Sequence, residues 1–533
     1  MDDPTKVEWR QWDHGPFETA KRTGKPVLLS LVTPWSGECR EMDRTTYTDP
    51  RIAANVTDGF VPVRVDADRH PRVRERYNMG GFPSTVFLTP SGRVLTGATF
   101  LGPDGFRGIL DSVRRTWDGK GEAAGSVPRV LRNAEPPGGK IGPGIEEHMV
   151  EQLLAAYDDE FGGWGTDVKF PLPRTVEFAL VRARDQAVRA LEAVQTHLLD
   201  TYNGGFYRYA RNRNWRGAVR EKLTDDNAAL VRAFAHGYRY TGEETYRDAA
   251  ESAIEYLTTD LWTGDAFAAS QGGDEAYFRL EPAAREDAAA PPVDDTAFAD
   301  RNALAGDGLL TYAAYTDDER AVRYAERALA YVREHLVSDG RVTHYDAPDA
   351  PAGLLLDQAR VLAGLTTAWQ VLGDPGPARA VADWTIQNLR VDSGALCDGP
   401  VDGPGLLDQP LYPLDTALEM ADGLCDLAAL TGTDRYREIA RDAIGVFADA
   451  TDRMGVEVAH FGTVASRVLR PRAVEVDSPA GSDLHRAALR LADHEAVVVP
   501  DAGSSDAARL LTDGTVEGTA DTPADLETLL TDR

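Results

Sequence analysis

Cysteine is scarce in this chain of 533 residues. The three cysteines, Cys39, Cys397 and Cys425, lie far apart and are odd in number. Such spacing excludes a disulfide framework and is typical of proteins from a reducing compartment. No apolar run approaches the roughly 18 residues of a membrane-spanning helix, and the acidic start of the sequence lacks the apolar segment of a secretory signal. We therefore expect a cytoplasmic protein without a membrane partner.

Lysine is also scarce, because arginine supplies nearly all of the 57 basic residues. Against 86 acidic residues the net charge is −29. A field of this sign repels nucleic acid and anionic lipid, so neither is expected as a partner. An acidic, lysine-poor surface suits a cytoplasm at molar salt, where the Debye length falls to about 3 Å. A GC-rich genome also replaces lysine by arginine but does not by itself supply so much aspartate, so we favour a halophilic protein.

Residues 1–120 alternate strand-like and helical patterns. Strands are predicted in "PVLLSLV" (26–32), in "GFVPVRVDAD" (59–68) and on both sides of the turn in "GGFPSTVFLTPSGRVL" (80–95). This pattern predicts a mixed α/β domain of thioredoxin size. The following residues, 121–144, are rich in Gly and Pro and are predicted to form a linker.

From 145 to 470 the sequence repeats one helical pattern. Each copy has a polar start, a helix rich in Ala and Leu, a turn and a second helix. The copies begin at Thr224, Ala299, Leu355 and Pro413. Because a single hairpin leaves an apolar face uncovered, about six of them are predicted to close into an α/α toroid. Residues 471–533 predict a small α/β segment, so the fold class is multidomain, α/β followed by all-α.

The stretch "TPWSGECREM" (33–42) lies where a thioredoxin-type thiol pair is expected. A tryptophan followed by C-x-x-C is the usual pattern, but Ser36 occupies the first cysteine position and Cys39 the second. Attack on a disulfide needs a thiolate, which a serine cannot supply. Ser36 suits a helix N-cap, and Cys39 would then lie one turn inside. We favour a disarmed site with an inert Cys39; a redox protein acting through Cys39 is the alternative.

The motifs and their order resemble the spermatogenesis-associated protein 20 family. The resemblance rests on "KPVLLSLVTPWSGECREM", "GGFPSTVFLTPSGR", "DDEFGGWGTDVKFPLPRTVEF", "GGFYRYARNRNW" and "EKLTDDNAAL". It implies a thioredoxin-like domain of unknown function fused to a six-hairpin toroid similar to sugar-processing folds, and a cis-proline at Pro83. The family usually carries Cys-His-Trp-Cys-His where this chain has Ser36 to Arg40, and a histidine where it has Tyr207. The resemblance therefore implies a divergent member.

The repeats also align polar residues at equivalent helix starts. The aligned pairs are Asp226-Asn227, Arg301-Asn302, Asp357-Gln358 and Asp415-Thr416. Paired carboxylates at one mouth of a toroid suit a glycosidase, which needs one general acid and one base or nucleophile. The candidate catalytic residues are Asp226, Asp357 and Asp415, together with Glu221. The alternative is that these residues are ordinary helix caps.

Cofactor motifs are missing from the sequence. It has no P-loop, no G-x-G-x-x-G and no nucleophile elbow, and its ten histidines show no ligand spacing. We therefore predict no cofactor and no metal. The expected partners are a saccharide or another small molecule in the toroid and a protein client at the thioredoxin-like domain. A toroid that binds or processes a carbohydrate-like ligand is the favoured function, and a non-catalytic client-binding scaffold is the remaining alternative.

Overall fold

The structure is a computed structural model that describes residues 5–132 and 135–531. The chain forms two compact units. The first extends to Glu135 and also takes in Gly272–Asp274 and Cys397–Tyr412, and the second contains the rest. Both of these short segments lie within the toroid predicted from the sequence, 145–470, whereas the structure groups them with the first unit. The boundaries at 120, 144 and 470 otherwise stay predictions.

The first unit is built around a four-stranded sheet. Its helices are α1 (His14–Thr23), α2 (Gly37–Thr45), α3 (Pro50–Gly59), α4 (Pro71–Tyr77) and α5 (Pro103–Lys120). Its strands are β1 (Val27–Val32), β2 (Val61–Asp66), β3 (Ser84–Leu88) and β4 (Val94–Ala98). The strand order is β2-β1-β3-β4, with β1 parallel to β2 and β3 antiparallel to both of its neighbours. This is the predicted thioredoxin-like fold.

Strand β1 lies inside the sheet and is covered on both faces, which explains its unbroken apolar sequence. Leu29 and Leu31 pack in a core with Tyr77 of α4. Leu28 points to the opposite face and joins a second core with Phe106 of α5. The two cores fix the position of β1, and so of the loop that leads from it to α2.

The second unit is mainly helical. Its longer helices are α6 (Gly144–Ala155), α7 (Pro173–Arg182), α8 (Arg184–Leu198), α9 (Thr224–Thr241), α10 (Glu244–Thr259), α13 (Ala299–Thr316), α14 (Glu319–Tyr331), α15 (Leu355–Leu372), α16 (Ala378–Leu389), α17 (Leu414–Thr431), α18 (Arg435–Gly445) and α19 (His460–Leu469); α11 (Glu275–Phe278) and α12 (Pro282–Glu286) are short. Its short strands are β5 (Tyr209–Ala210), β6 (Ala218–Val219), β7 (Lys222–Leu223), β8 (Ser270–Gln271), β9 (Val293–Asp294), β10 (Val337–Ser338) and β11 (Arg341–Val342).

Six of these helices form a closed inner ring. Each of α7, α9, α13, α15, α17 and α19 packs on the next, and α19 packs on α7. The outer layer consists of α8, α10, α14, α16, α18 and α6, each packed mainly on one inner helix. The predicted α/α toroid is therefore confirmed. No helix among residues 5–132 and 135–531 is long and apolar enough to cross a bilayer.

Close approach of the inner helices explains their richness in Ala and Gly. A Cβ atom added at Gly308 of α13 would lie 2.6 Å from the carbonyl oxygen of Ala228 in α9. One added at Gly364 of α15 would lie 2.7 Å from the carbonyl oxygen of Ala303 in α13. Real Cβ atoms do not approach this closely, so these two glycines set the spacing of three neighbouring helices.

The C-terminal residues form the small α/β segment that the sequence predicts. It contains β12 (Arg472–Val476), α20 (Asp483–Leu491), β13 (Val497–Val499), β14 (Ala508–Thr512), β15 (Thr515–Ala520) and α21 (Pro523–Thr531). The strand order is β13-β12-β14-β15, with β12 parallel to β13 and antiparallel to β14, which is antiparallel to β15. This segment therefore repeats the sheet topology of the first unit, a similarity that sequence analysis missed.

Candidate functional site

The start of α2 brings the predicted thiol-site residues together. Ser36 is the N-cap of α2, and its Oγ accepts a hydrogen bond of 3.3 Å from the backbone N–H of Cys39. The same hydroxyl donates to the carbonyl oxygen of Phe82 over 3.3 Å. The Phe82–Pro83 peptide bond is cis, as the family resemblance implied. The capping role expected for Ser36 is confirmed.

Cys39 lies in surroundings that disfavour its thiolate. Its side chain is buried, and burial raises the pKa of the thiol to about 11 in spite of the hydrogen bond with Ser36. Such a thiol is protonated at neutral pH and is a poor nucleophile. On the neighbouring strand β1, Ser30 is fully buried and accepts a hydrogen bond of 3.4 Å from the hydroxyl of Tyr47. Position 30 therefore supplies no carboxyl group to remove a proton.

A distant segment, 272–274, covers this site. The backbone N–H of Gly273 donates to the carbonyl oxygen of Trp35 over 3.1 Å. The Arg40 guanidinium donates in turn to the carbonyl oxygen of Gly273. Only 2% of the surface of Ser36 is exposed. The position that would carry an attacking thiol is therefore closed to a large substrate.

The segment 397–412 is held in the first unit by a buried ionic cluster. Arg72 and Arg76 of α4 donate to the carboxylate of Asp398, with N–O distances of 2.9 Å and 2.7 Å. The Arg76 side chain is completely buried. Breaking a buried pair of this kind typically costs 3–5 kcal/mol, so this cluster fixes the segment firmly against α4.

In the second unit, the first turns of four inner helices converge. Arg360 of α15 donates to Asp300 of α13 over 3.0 Å and to Glu419 of α17 over 3.1 Å. Asp225 of α9 lies 3.8 Å from the same guanidinium. A single arginine therefore links the starts of α9, α13, α15 and α17. We call this region the acidic mouth and define it by Asp225, Asp226, Asp300, Asp357, Arg360 and Glu419.

Asp226 is a perturbed carboxyl group in the acidic mouth. Burial and the neighbouring charge of Asp225 raise its pKa to about 7, although three arginines oppose the shift. Its Oδ2 atom is buried and has no hydrogen-bond partner among the described residues. A carboxyl group of this kind exchanges a proton near neutral pH.

Asp357 is completely buried and lies beside a histidine. Nδ1 of His344 and Oδ1 of Asp357 are 2.8 Å apart. Burial raises the pKa of Asp357 in spite of this histidine. The second oxygen of Asp357, Oδ2, has no partner in the described part of the chain, and neither does Oδ1 of Asp300.

Glu221 and Asp415 occupy different surroundings. Glu221 is buried and lies 3.4 Å from Arg208, one of the cations that oppose the pKa shift of Asp226. Asp415 is exposed in the first turn of α17, one turn before Glu419. The structure thus joins Asp226 and Asp357 through the acidic mouth, places Glu221 within electrostatic reach of Asp226 through Arg208, and leaves Asp415 at the surface.

The helix-cap interpretation of the aligned residues is wrong. The N-caps of α9, α13, α15 and α17 are Leu223, Phe298, Leu354 and Pro413, and these described helix starts have no side-chain cap. The second residue of three aligned pairs instead holds the loop before its helix. The side-chain oxygens of Asn227, Asn302 and Gln358 accept from the backbone N–H groups of Phe206, Phe267 and Val342, at 2.6, 2.7 and 2.7 Å. The repeated amide is therefore structural.

Two buried lysines hold two turns of the pattern Gly-Gly-aromatic, residues 162–164 and 204–206. Lys169 donates to Asp158 over 2.9 Å and to the carbonyl oxygen of Gly162 over 3.1 Å. Lys222 makes the same pair of contacts, with Asp200 at 2.9 Å and Gly204 at 2.6 Å. Both side chains are completely buried. The Glu221-Lys222 pair of the family motif therefore combines a structural lysine with a candidate site residue.

Five residues of the site were not predicted from the sequence: Asp225, Asp300, His344, Arg360 and Glu419. Asp300 precedes the aligned pair Arg301-Asn302 and is equivalent to Asp225, so the repeat alignment contained a signal for it. Arg360 and Glu419 lie one turn further along their helices, where a second aligned position could have been sought. His344 comes from an irregular loop, and no sequence pattern points to it.

The fold and site define a class: a thioredoxin-like unit with serine at the first position of the thiol motif, joined in one chain to an α/α toroid with an acidic mouth. Residues 2–132 match a family model described as a protein of unknown function, DUF255 (Thioredox_DsbH). Spermatogenesis-associated protein 20 of Homo sapiens is 27% identical over 295 residues, which are 48% of this chain and 37% of that protein. The predicted resemblance is therefore confirmed over about half of this chain. The match spans well under two thirds of the length of the relative.

Two further similarities concern single parts of the chain. Thiol:disulfide interchange protein DsbD of Ralstonia nicotianae is 33% identical over 76 residues, covering 14% of this chain and 12% of that protein. Among solved structures, a sugar epimerase from a ruminal bacterium aligns with 61% of this chain and 98% of its own, at 14% identity and a TM-score of 0.48.

Proposed function

We propose that the toroid binds a carbohydrate-like, polyhydroxylated ligand at the acidic mouth and acts on it by general acid–base chemistry. The observation that carries this proposal is the pair of carboxyl groups of Asp357, which is fully buried, and Asp226, whose Oδ2 atom is buried. Both have raised pKa values, and each keeps one oxygen without a partner in the described chain. Buried polar groups without partners cost folding free energy, so their presence favours a role towards a ligand.

The two carboxyl environments near the mouth suit two different roles. Asp226, with a pKa of about 7, is the proposed proton donor, because a group that titrates near the working pH transfers protons most effectively. Glu221, ion-paired with Arg208, is the proposed second carboxylate. Carboxyl groups whose environments differ in this way commonly divide the acid and base roles. Asp415, exposed at the same end of the ring, is proposed to contact the ligand.

A polyhydroxylated ligand fits the chemistry of this region. Carboxylate oxygens accept hydrogen bonds from hydroxyl groups, and guanidinium groups such as that of Arg208 donate to hydroxyl oxygens. Next to Arg208, the rings of Tyr209 and Phe170 stack with centroids 4.8 Å apart, and Phe170 is exposed. Such a pair offers an apolar face for a sugar ring. Trp164, Phe206 and Trp215, by contrast, are buried and fill the core.

The proposal has a direct binding test. Wild-type protein is titrated calorimetrically with a panel of mono- and disaccharides and sugar phosphates, and ligand-induced shifts in melting temperature are measured in parallel. At least one sugar is expected to bind wild type, and Asp226→Asn and Glu221→Gln are expected to weaken that binding at least about tenfold, equivalent to 1.4 kcal/mol. The matched control is Asp185→Asn, an exposed acid in the first turn of α8. If no sugar binds wild type, or if all variants bind alike, the proposal fails.

For the thioredoxin-like unit we propose that no thiol–disulfide exchange takes place. This rests on Ser36 at the attacking position, on the raised pKa of Cys39 and on the cover formed by 272–274. A protein client at this site, the partner considered for the unit, would have to displace that cover before it reached α2.

A halophilic, cytoplasmic origin is also proposed, from the net charge of −29 and the scarcity of lysine. Because KCl shortens the Debye length from about 10 Å at 0.1 M to about 3 Å at 1 M, it should relieve the repulsion between acidic groups. We expect the melting temperature to rise steeply from dilute to molar KCl, and more than it does with sucrose at matched osmolality. A melting temperature that stays flat across this range rejects the halophilic origin.

A further inference from the structure

Three buried side chains in the acidic mouth come close enough to share one ion. Asp300 lies in the first turn of α13, Asp357 in the first turn of α15, and His344 in the loop before α15. Each offers one ligand atom, and these three atoms lie within 4.8 Å of one another. The side chains of Asp300, His344 and Asp357 are exposed by only 5%, 2% and 0%.

Hydrogen bonding leaves this cluster incomplete. Oδ1 of Asp300 and Oδ2 of Asp357 are buried and have no partner among the described residues. Arg360 does donate to Asp300, but to its other oxygen, Oδ2. A buried carboxylate normally takes up its lone pairs with donors or a metal, because the desolvation cost is otherwise unpaid. Both free oxygens therefore point to a missing positive or donor group.

The charges around the cluster also favour a bound cation. Arg360 is shared among Asp300, Glu419 and Asp225 and so cannot neutralise any of them fully. Asp226 is close enough to Asp225 for the two charges to repel each other. The mouth thus holds more carboxyl groups than arginines, and a cation would relieve the excess.

The chemistry of the three ligands indicates which kind of cation fits. Nδ1 of His344 and Oδ1 of Asp357 share a hydrogen bond of 2.8 Å, so the oxygens offered to an ion are Oδ2 of Asp357 and Oδ1 of Asp300. Two carboxylates suit Mn²⁺, and the imidazole distinguishes this set from the all-oxygen sites that Ca²⁺ and Mg²⁺ prefer. We propose that Asp300, His344 and Asp357 bind a divalent cation with octahedral preference, of the Mn²⁺ type, through two carboxylates and one imidazole nitrogen.

Surrounding residues would hold the ligands in place. Arg360 fixes Asp300 through Oδ2 and leaves Oδ1 for the ion. The ring of His344 packs against Phe298, with centroids 4.7 Å apart, which restrains the orientation of the imidazole. Supporting contacts of this kind are usual around protein metal sites. The proposed site differs from the expectation of no metal that the sequence supports. The sequence gives no signal for it, because ligands at 300, 344 and 357 follow no regular spacing.

The test uses the full chain and Mn²⁺ as the probe, and it does not depend on the carbohydrate proposal. Protein is stripped with a chelator, returned to buffer containing molar KCl and excess Mg²⁺ to suppress weak surface binding, and titrated with Mn²⁺ by calorimetry and electron paramagnetic resonance. One Mn²⁺ per wild-type chain is expected, with a rise in melting temperature. Asp300→Asn and Asp357→Asn preserve side-chain size and one acceptor oxygen, and each should weaken binding at least about tenfold. Asp185→Asn is the control and should bind as wild type does.

A spectroscopic readout keeps the test decisive if a variant does not fold. In wild type, pulsed electron paramagnetic resonance should detect a nitrogen nucleus coupled to the bound Mn²⁺, and His344→Gln should remove that coupling. The proposal is overturned if wild type binds no more Mn²⁺ than the surface background. It is equally overturned if the bound ion shows no nitrogen coupling, or if folded Asp300→Asn and Asp357→Asn bind as wild type does.

Discussion

Asp226→Asn is expected to stabilise the folded protein most at pH 8 and to a smaller extent at pH 5. The folded-state pKa of Asp226 is raised to about 7 by burial and by Asp225, whereas the unfolded value is near 3.8. Well below pH 3.8 both states are protonated and the carboxyl group costs nothing. Between pH 4 and 7 the folded state holds the proton more tightly, so stability falls as the pH rises. Above pH 7 the penalty is complete, at about 2–4 kcal/mol.

The Asn variant removes this penalty because it resembles the protonated acid at every pH. Its stability is measured by denaturant unfolding at pH 5, 6, 7 and 8 at constant KCl, beside wild type and Asp185→Asn. The control should remain within about 0.5 kcal/mol of wild type at each pH. If Asp226→Asn destabilises the protein equally at pH 5 and pH 8, Asp226 makes stabilising contacts, and its role as a poised acid is lost. Stabilisation together with loss of sugar binding would be typical of a functional residue.

Ser36→Cys is expected to create a redox-active pair where wild type has none. The introduced thiol would occupy the N-cap of α2, where the helix dipole and free N–H groups favour a thiolate, three residues before Cys39. A disulfide between the two sulfurs should then form and equilibrate with glutathione, as followed by thiol titration. Wild type and the control Ser36→Ala should stay at background, because exchange needs a thiolate at that position.

The cover formed by 272–274 sets a second expectation for the same variant. Insulin reduction by Ser36→Cys should be weak, because a protein disulfide is too large to reach the buried position. Adding Arg40→Ala removes the side-chain hydrogen bond to Gly273 and should raise the insulin rate at least about tenfold by exposing the thiol. Robust insulin reduction by wild type, abolished by Cys39→Ala, would overturn the view of a disarmed site.

Local patterns were enough to predict the fold of both units. Strand β1 is an unbroken apolar run because it is covered on both faces, and that signal depends only on neighbours in sequence. The repeats predicted the toroid, since equivalent residues of equivalent hairpins must occupy equivalent positions. The same alignment found Asp226 and Asp357. It also suggested that they were helix caps, which is wrong, because each of them is the third residue of its helix.

Other features escaped sequence analysis because their signals are weak or shared by many surfaces. The hairpin of β14 and β15 is polar and partly exposed, with Val516 half exposed, so it lacks the apolar alternation of a strand. In the C-terminal segment the sequence therefore predicts strands only in "RAVEVDS" and "EAVVVPDAG", whereas the structure has four. His344 escaped because one histidine in an irregular loop carries no periodicity.

The sequence by itself determined the order of elements, the thioredoxin-like and toroid folds, the missing sulfur at Ser36 and the excess of negative charge. Each of these depends on composition or on contacts within a hairpin. Only the tertiary structure decided that Gly273 covers the thiol site, 233 residues from Arg40, and that Asp300, His344 and Asp357 meet at one point. The physical reason is that helix packing sets such distances. Side chains far apart in sequence become neighbours only when the inner ring closes, and burial then sets their pKa values.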